Sequence, residues 1–161
     1  MKKYAIIVAG GKGQRMNADL PKQFILLSGK PVLMHTIEAF YKYDENIKIV
    51  LVLPTSQIDY WKSLCIKYNF TYPIEIEEGG ESRFHSVKNG LNSLKDNGFV
   101  AIHDGVRPFV SAETIKRCFS AANEFGNAIP VIDIVDSIRH IDGDRNEAVD
   151  RNQYKLVQTP Q

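Results

Sequence analysis

The run Ala5-Ile6-Ile7-Val8-Ala9 is apolar without a break and ends on Gly10-Gly11. A strand with one wet face alternates apolar and polar residues, whereas a strand covered on both faces does not. This segment therefore reads as an inner strand of a parallel sheet, and the rest of the chain must supply the layers that cover it. Similar runs return at Ile47 to Leu53 (closed by Pro54), at Ile74-Glu75-Ile76, at Phe99-Val100-Ala101-Ile102 and at Ala128 to Ile132. Between them, apolar residues recur at helical spacing. Pro31 is expected to open a helix with Leu33, Met34, Ile37, Phe40 and Tyr41 on its face, and Ile58, Trp61, Leu64 and Cys65 mark a second. Ser82 is a candidate cap for a third, with Phe84, Val87, Leu91 and Leu94 toward the core. Ser111 starts a fourth, with Ile115, Cys118, Phe119, Ala122 and Phe125 inside.

Strands alternating with amphipathic helices imply an α/β sandwich around a mostly parallel sheet. Right-handed crossovers place the strand-to-helix loops along one edge, where open α/β sheets hold their ligands. The loops concerned are Gly10 to Lys22, Gly79 to Arg83 and Asp104 to Arg107. The alternation breaks after Asp133. Ile141-Asp142-Gly143-Asp144 is a strong hairpin signal, and residues 134–157 read as a β-hairpin arm projecting from the sandwich. At 161 residues the chain is expected to form a single domain, 1–161, with the arm inside it.

Composition narrows the partners. Twenty basic and nineteen acidic residues give a net charge of +1, with the signs mixed along the chain. No basic stripe suggests nucleic acid or an anionic membrane, so any bound anion has to be held by a local site. Cys65 and Cys118 lie far apart without metal or redox spacing and read as reduced thiols, buried or half-buried. The apolar run after Met1-Lys2-Lys3 is too short for a signal peptide, nothing approaches a membrane span, and a cytoplasmic protein is expected.

The first loop reads Gly10-Gly11-Lys12-Gly13-Gln14-Arg15-Met16, then Pro21-Lys22. Glycines let the backbone approach a phosphate, and successive amides form an anion-binding concavity. The loop lacks the ending of a Walker loop, and Met16 occupies the third glycine of a dinucleotide fingerprint. Arg15 and Lys22 flank it with two cations, which suits a triphosphate in a transfer reaction driven by positioning and charge neutralisation. Asp104 ends the fourth strand, with Gly105 beside it, and a carboxylate there can hold a ribose hydroxyl or a metal ion carrying phosphates. Gly80, Glu81 and Ser86 offer amides and a hydroxyl for reading a base edge. His103 is read as structural, because the histidines share no metal spacing.

Ala9-Gly10-Gly11-Lys12-Gly13-Gln14-Arg15-Met16 followed by Pro21-Lys22-Gln23-Phe24 resembles the nucleotidyltransferase signature AGGxGxRM…PKQ. Gly79-Gly80-Glu81-Ser82-Arg83, His103-Asp104-Gly105-Val106-Arg107-Pro108 and Gln158-Thr159-Pro160-Gln161 follow in order. Together they resemble the methylerythritol phosphate cytidylyltransferase family of non-mevalonate isoprenoid synthesis. The resemblance implies a three-layer α/β/α Rossmann-like sandwich of the nucleotide-diphospho-sugar transferase type. It implies that CTP and a sugar-alcohol phosphate are joined, with release of pyrophosphate and with Mg2+ or another divalent cation as cofactor. Arg15 and Lys22 would be catalytic at the α-phosphorus. Ala9, Gly10, Gly11, Gly13, Gly80, Glu81, Ser86, Asp104 and Gly105 would surround CTP, and Asp104 would also be the metal residue. Val149-Asp150-Arg151 matches the family's VDR, so Arg151, with Ser137 at a usual threonine position, would hold the substrate phosphate across a homodimer built through the arm.

The chain ends at Gln161, directly after the last motif and short of the family's usual length, so a final strand and helix are expected to be missing. Two rivals remain open at this stage. Ribitol phosphate cytidylyltransferases share the nucleotide loops but often carry HDSVRP where this chain has Gly105. A non-catalytic nucleotide-binding module would bind CTP without releasing pyrophosphate.

Overall fold

The computed structural model describes residues 1–10 and 20–161. Its elements are β1 (Lys2–Val8), a 3-10 turn at Lys22–Phe24, β2 (Leu26–Leu27) and β3 (Lys30–Pro31). They continue with α1 (Val32–Tyr43), β4 (Lys48–Leu53), α2 (Thr55–Lys67), β5 (Ile74–Glu78), α3 (Arg83–Asn92) and β6 (Gly98–Asp104). After α4 (Ala112–Phe125) come β7 (Val131–Asp133), β8 (Arg139–Asp142), β9 (Arg145–Ala148), a 3-10 turn at Arg151–Gln153 and β10 (Lys155–Val157).

β5, β4, β1 and β6 form one sheet in that order, every neighbour parallel. The uninterrupted apolar strand β1 takes an inner place, and its Ala5, Ile6 and Ile7 are wholly buried. Two unequal layers cover the sheet. Ala5, Ile7, Ile49, Leu51 and Leu53 pack with Leu33, Met34, Ile37 and Phe40 of α1, Trp61 and Leu64 of α2, and Ile115 and Phe119 of α4. Each buried leucine, isoleucine, methionine or phenylalanine among them contributes about 1.5–3 kcal/mol through removal from water. The opposite face is thinner: Ile6, Val50 and Val52 meet Leu94 and α3. The expected three-layer sandwich is therefore present, with three of the described helices on one face and one on the other. Ser82 and Ser111 cap their helices as read, accepting the His85 and Thr114 amide hydrogens at 3.3 and 3.1 Å.

Three expectations need correction. Phe84 and Leu91 do not face the core but are 71% and 42% exposed. The face of α3 on the sheet is made by Ser86 and Gly90. A Cβ on Gly90 would stand 2.9 Å from Ile6 Cγ2 and 3.1 Å from Val52 Cγ2, so the helix lies too close for large side chains. Phe125, read as internal, is exposed in the last turn of α4, just before Gly126 at φ +87° ends the helix.

The third correction concerns the fifth run. β7 does not extend the sheet but pairs antiparallel with β10, matching Asp133 to Lys155 and Val131 to Val157. The place beside β6 is taken by the returning chain, since the Ile102 amide donates to the Gln161 carbonyl at 2.7 Å and the Gln161 amide donates to the Ile102 carbonyl at 2.9 Å. The predicted hairpin is present. β8 and β9 pair around a two-residue turn between Asp142 and Arg145, with Gly143 at φ +56°. Cys65 and Cys118 are free and half-buried, and burial pushes both thiols up from their ordinary pKa. No helix among the described residues is long and apolar enough to cross a membrane.

Candidate functional site

The chain winds from β1 outward through β4 and β5, then crosses back to place β6 on the other side of β1. That reversal is a switch point, and it leaves a crevice outside the carboxyl ends of β1 and β6. In register, Val8 faces Asp104, so the start of the glycine loop and the carboxylate flank the same opening.

One wall is the corner between β5 and α3. Ser86 is buried and its Oγ accepts the Gly80 amide hydrogen at 3.1 Å. A Cβ at Gly10 or Gly79 would lie 3.7 or 3.4 Å from that oxygen, so both backbones close on Ser86. Gly80 has a tighter reason to lack a side chain, because a Cβ would meet His85 Cβ at 2.4 Å. Ala9, Gly10, Gly80 and Ser86 are thus brought together, and Glu81 is exposed beside them.

Asp104 forms the other wall. Its Oδ1 accepts Arg83 Nε and Nη2 at 3.2 and 3.1 Å, and its Oδ2 accepts Arg107 Nε at 3.0 Å. Arg107 Nη1 also donates to Gln158 Oε1 at 2.6 Å, while the Asp104 amide faces Thr159 Oγ1 at 3.5 Å. Both guanidiniums are about half exposed, so each pair contributes no more than about 1 kcal/mol to stability. Their consequence is orientation: Arg83 of α3 reaches the end of β6 and joins the two walls.

Behind the carboxylate, His103 is fully buried, edge-on to Phe40 at 5.0 Å, with Nε2 3.0 Å from the Arg107 carbonyl oxygen. Burial pushes its pKa down, and the bond to Arg107 and the nearby Asp104 charge only partly oppose this. A neutral ring donating through Nε2 fits a structural histidine that holds the turn. Gly105 is also buried, its amide donating to the Val8 carbonyl at 2.8 Å and its carbonyl accepting from Thr36 Oγ1 at 2.9 Å. A Cβ there would stand 2.8 Å from Ala9 Cβ and 3.0 Å from Leu33 Cδ1. Its close approach is thus to the core behind the crevice.

Lys22 sits half-buried on its 3-10 turn, whereas Gly11, Gly13 and Arg15 lie outside the described residues. Ser137 and Arg151 are exposed on the β7–β10 region, and Arg151 Nη1 donates to the Val135 carbonyl at 2.5 Å. Within one chain no hydrogen bond among the described residues joins them to the crevice. Among those residues, no three His, Cys, Asp or Glu side chains gather into a metal cage. Asp104 is a lone carboxylate whose two oxygens already accept from Arg83 and Arg107, so a cation held there would have to bring most of its oxygen ligands with a polyphosphate. Sequence reasoning named no role for Arg83 or Gln158, although both stand inside the GGESR and QTPQ segments it singled out. Their ties to Asp104 and Arg107 appear only once the loops are folded side by side.

Known proteins resemble this chain in sequence and fold. The family model for 2-C-methyl-D-erythritol 4-phosphate cytidylyltransferase (IspD) matches residues 4–161. The enzyme of that name from Phocaeicola vulgatus is 58% identical over 161 residues, covering all of this chain and 74% of its own length. The one from Bacteroides thetaiotaomicron is 55% identical with the same coverage. The crystal structure of 4-diphosphocytidyl-2C-methyl-D-erythritol synthase from Anaerococcus prevotii superposes with a TM-score of 0.80 at 28% identity, over 99% of this chain and 69% of that one. The chain belongs to the 2-C-methyl-D-erythritol 4-phosphate cytidylyltransferase family.

Proposed function

We propose that this chain transfers the cytidylyl group of CTP to 2-C-methyl-D-erythritol 4-phosphate, giving 4-diphosphocytidyl-2C-methyl-D-erythritol and pyrophosphate in isoprenoid synthesis. The observation that carries the reading is Asp104, held between Arg83 and Arg107 at the switch point, with Gly10, Gly80 and Ser86 closing on one another at the β5–α3 corner that Arg83 joins to it. A cluster of that kind joins backbone amides, two guanidiniums and one carboxylate, which suits a nucleoside triphosphate. The substrates come from the names of the relatives.

In the proposed reaction a phosphate oxygen of the sugar alcohol forms a bond to the α-phosphorus of CTP. The bond from that phosphorus to the bridging oxygen breaks, and pyrophosphate leaves with the electron pair. Amides of Gly10, Gly11 and Gly13 would cradle the triphosphate, while Arg15 and Lys22 would stabilise the charge of the pentacoordinate state. A charge-assisted hydrogen bond contributes about 1.5–3 kcal/mol, so two cations supply a few orders of magnitude in rate. Ala9, Gly80, Glu81 and Ser86 would read the cytosine. Asp104 would hold the ribose or a divalent cation, and Mg2+ bound there would neutralise phosphate charge. Ser137 and Arg151 would receive the substrate phosphate from a neighbouring subunit, in a homodimer formed through residues 134–157. The reading puts the reaction in the cytoplasm, where CTP is available.

Pyrophosphate release with CTP and Mg2+, offered methylerythritol phosphate and ribitol phosphate in parallel, tests it. Turnover with only the first alcohol is expected. Turnover with ribitol phosphate would move the specificity, and silence from folded protein would leave a binding module. Arg15→Ala is expected to lose far more turnover than CTP affinity.

A further inference from the structure

The side chain of Gln23 is almost fully buried, unusual for an amide in the turn that carries a proposed catalytic lysine. Its Nε2 donates to the Ala9 carbonyl at 2.8 Å and to Gln57 Oε1 at 2.6 Å. An amide nitrogen has two hydrogens, so both are used. Three separate pieces of chain meet here: the carboxyl end of β1, the first turn of α2 and the turn Lys22–Phe24. Each is fixed by its own bonds. The Ala9 amide donates to the Val52 carbonyl at 2.9 Å, and the Gln57 amide donates to the Pro54 carbonyl at 2.8 Å. The turn closes through Phe24 N–H to the Pro21 carbonyl at 2.9 Å and Ile25 N–H to the Lys22 carbonyl at 3.2 Å. Phe24 is buried beside Gln23, its ring edge-on to Tyr60 of α2 at 5.0 Å.

We propose that Gln23, oriented by Gln57, is a positioning residue that sets Lys22 against the start of the glycine loop. The inference rests on the role proposed for Lys22. Lys22 and Gln23 are adjacent, so a brace from Gln23 to Ala9 fixes where the lysine backbone stands relative to Gly10. Phe24 anchors the turn to the core by packing, which has no hydrogen-bond direction. The two directed bonds of Gln23 fix the turn's orientation, tying it to the carboxyl end of β1 at the crevice and to the first turn of α2. Gln57 acts here purely as an acceptor. A carboxylate at position 57 can do the same, while a leucine leaves one buried Gln23 hydrogen without a partner.

That difference is the test, made in the full protein with Gln57→Glu, Gln57→Leu and Gln23→Glu. The last places carboxylate oxygens against the Ala9 carbonyl, two acceptors with no donor between them. Misplacement by about 1 Å can cost about a hundred-fold in rate. Gln23→Glu is therefore expected to lower kcat by roughly that factor, with KM for CTP changed by less than about three-fold. Gln57→Leu should fall in the same direction by about ten-fold, and Gln57→Glu should retain turnover within about two-fold. Hydrogen exchange of the Phe24 and Ile25 amides supplies a readout that needs no activity. It should quicken in Gln57→Leu and stay slow in Gln57→Glu. Unchanged exchange and turnover in Gln57→Leu would overturn the proposal. So would equal losses in both Gln57 variants, or a rise in KM with kcat preserved. An unaltered protein that shows no turnover but the expected exchange pattern would remove the proposed reaction while supporting the brace.

Discussion

The four-stranded sheet and the β7–β10 region both carry apolar strand residues, but they fold under different rules. In β1 and β4, Ala5 to Ile7 and Ile49 to Leu53 are buried on both faces between helices. In β7, β8, β9 and β10 every strand residue is exposed, Ile132, Ile141, Leu156 and Val157 included. The ties there are polar: Lys155 with Asp133, Arg139 with Asn146, Arg151 with the Val135 carbonyl. Exposed ion pairs contribute little, and an isolated hairpin is marginal in water. The lesson is that an apolar strand residue fixes a fold only where a layer exists to cover it.

The sharpest way to break this contrast is a cavity in the sheet. Leu51→Ala, at a position with no exposure, is expected to cost about 2–5 kcal/mol in chemical denaturation. A loss below about 1 kcal/mol would mean the large core is less tightly filled than its burial implies. On the thinner face the sensitive position is a glycine. Gly90→Ala gains up to about 1 kcal/mol of helix propensity but forces a methyl into Ile6 and Val52, at a cost of about 1–3 kcal/mol. Net destabilisation is expected, and a stabilised variant would show that α3 can lift from the sheet freely.

This is also where legibility in the sequence divides. Apolar runs located β1, β4 and β6, because burial on both faces leaves little other pattern for inner strands, while the edge strand β5 was read from the short Ile74-Glu75-Ile76. The glycine and Asp104 loops were legible for the same reason: once the strands are parallel, their carboxyl ends must share an edge. The face of α3 was misread because a helix in close contact needs Ser86 and Gly90, which carry no apolar signal. The fifth run was misread because β7 resembles a sheet strand until Gln161 takes the place beside β6. Arg83 and Gln158 gave no local sign, since their partners lie 21 and 51 residues away in sequence. Their side-chain reach depends on the fold.

A smaller effect separates the buried edge of the site from the exposed region by pH. His103 has its pKa lowered from 6.5, chiefly by burial. Between that value and the lower folded one, the unfolded chain binds a proton that the folded chain refuses. Stability is therefore expected to fall as pH drops below 6.5, while above it this group adds no pH dependence. His103→Gln, which keeps a donor for the Arg107 carbonyl, should flatten that slope. An unchanged slope would place the dependence in other groups.

The smallest effect belongs to the hairpin and bears on the proposed homodimer. Ile141 is 63% exposed in β8, so within one chain Ile141→Ala removes almost no buried surface. Its unfolding free energy should stay within about 0.5 kcal/mol of the unaltered protein when measured dilute. If two copies join through residues 134–157, folding is linked to association and the thermal midpoint rises with protein concentration. Ile141→Ala should then weaken that rise while leaving the dilute midpoint in place. A midpoint lowered equally at every concentration would mean that the hairpin packs against its own chain. In that case the contrast between the two regions would be one of degree rather than of rule.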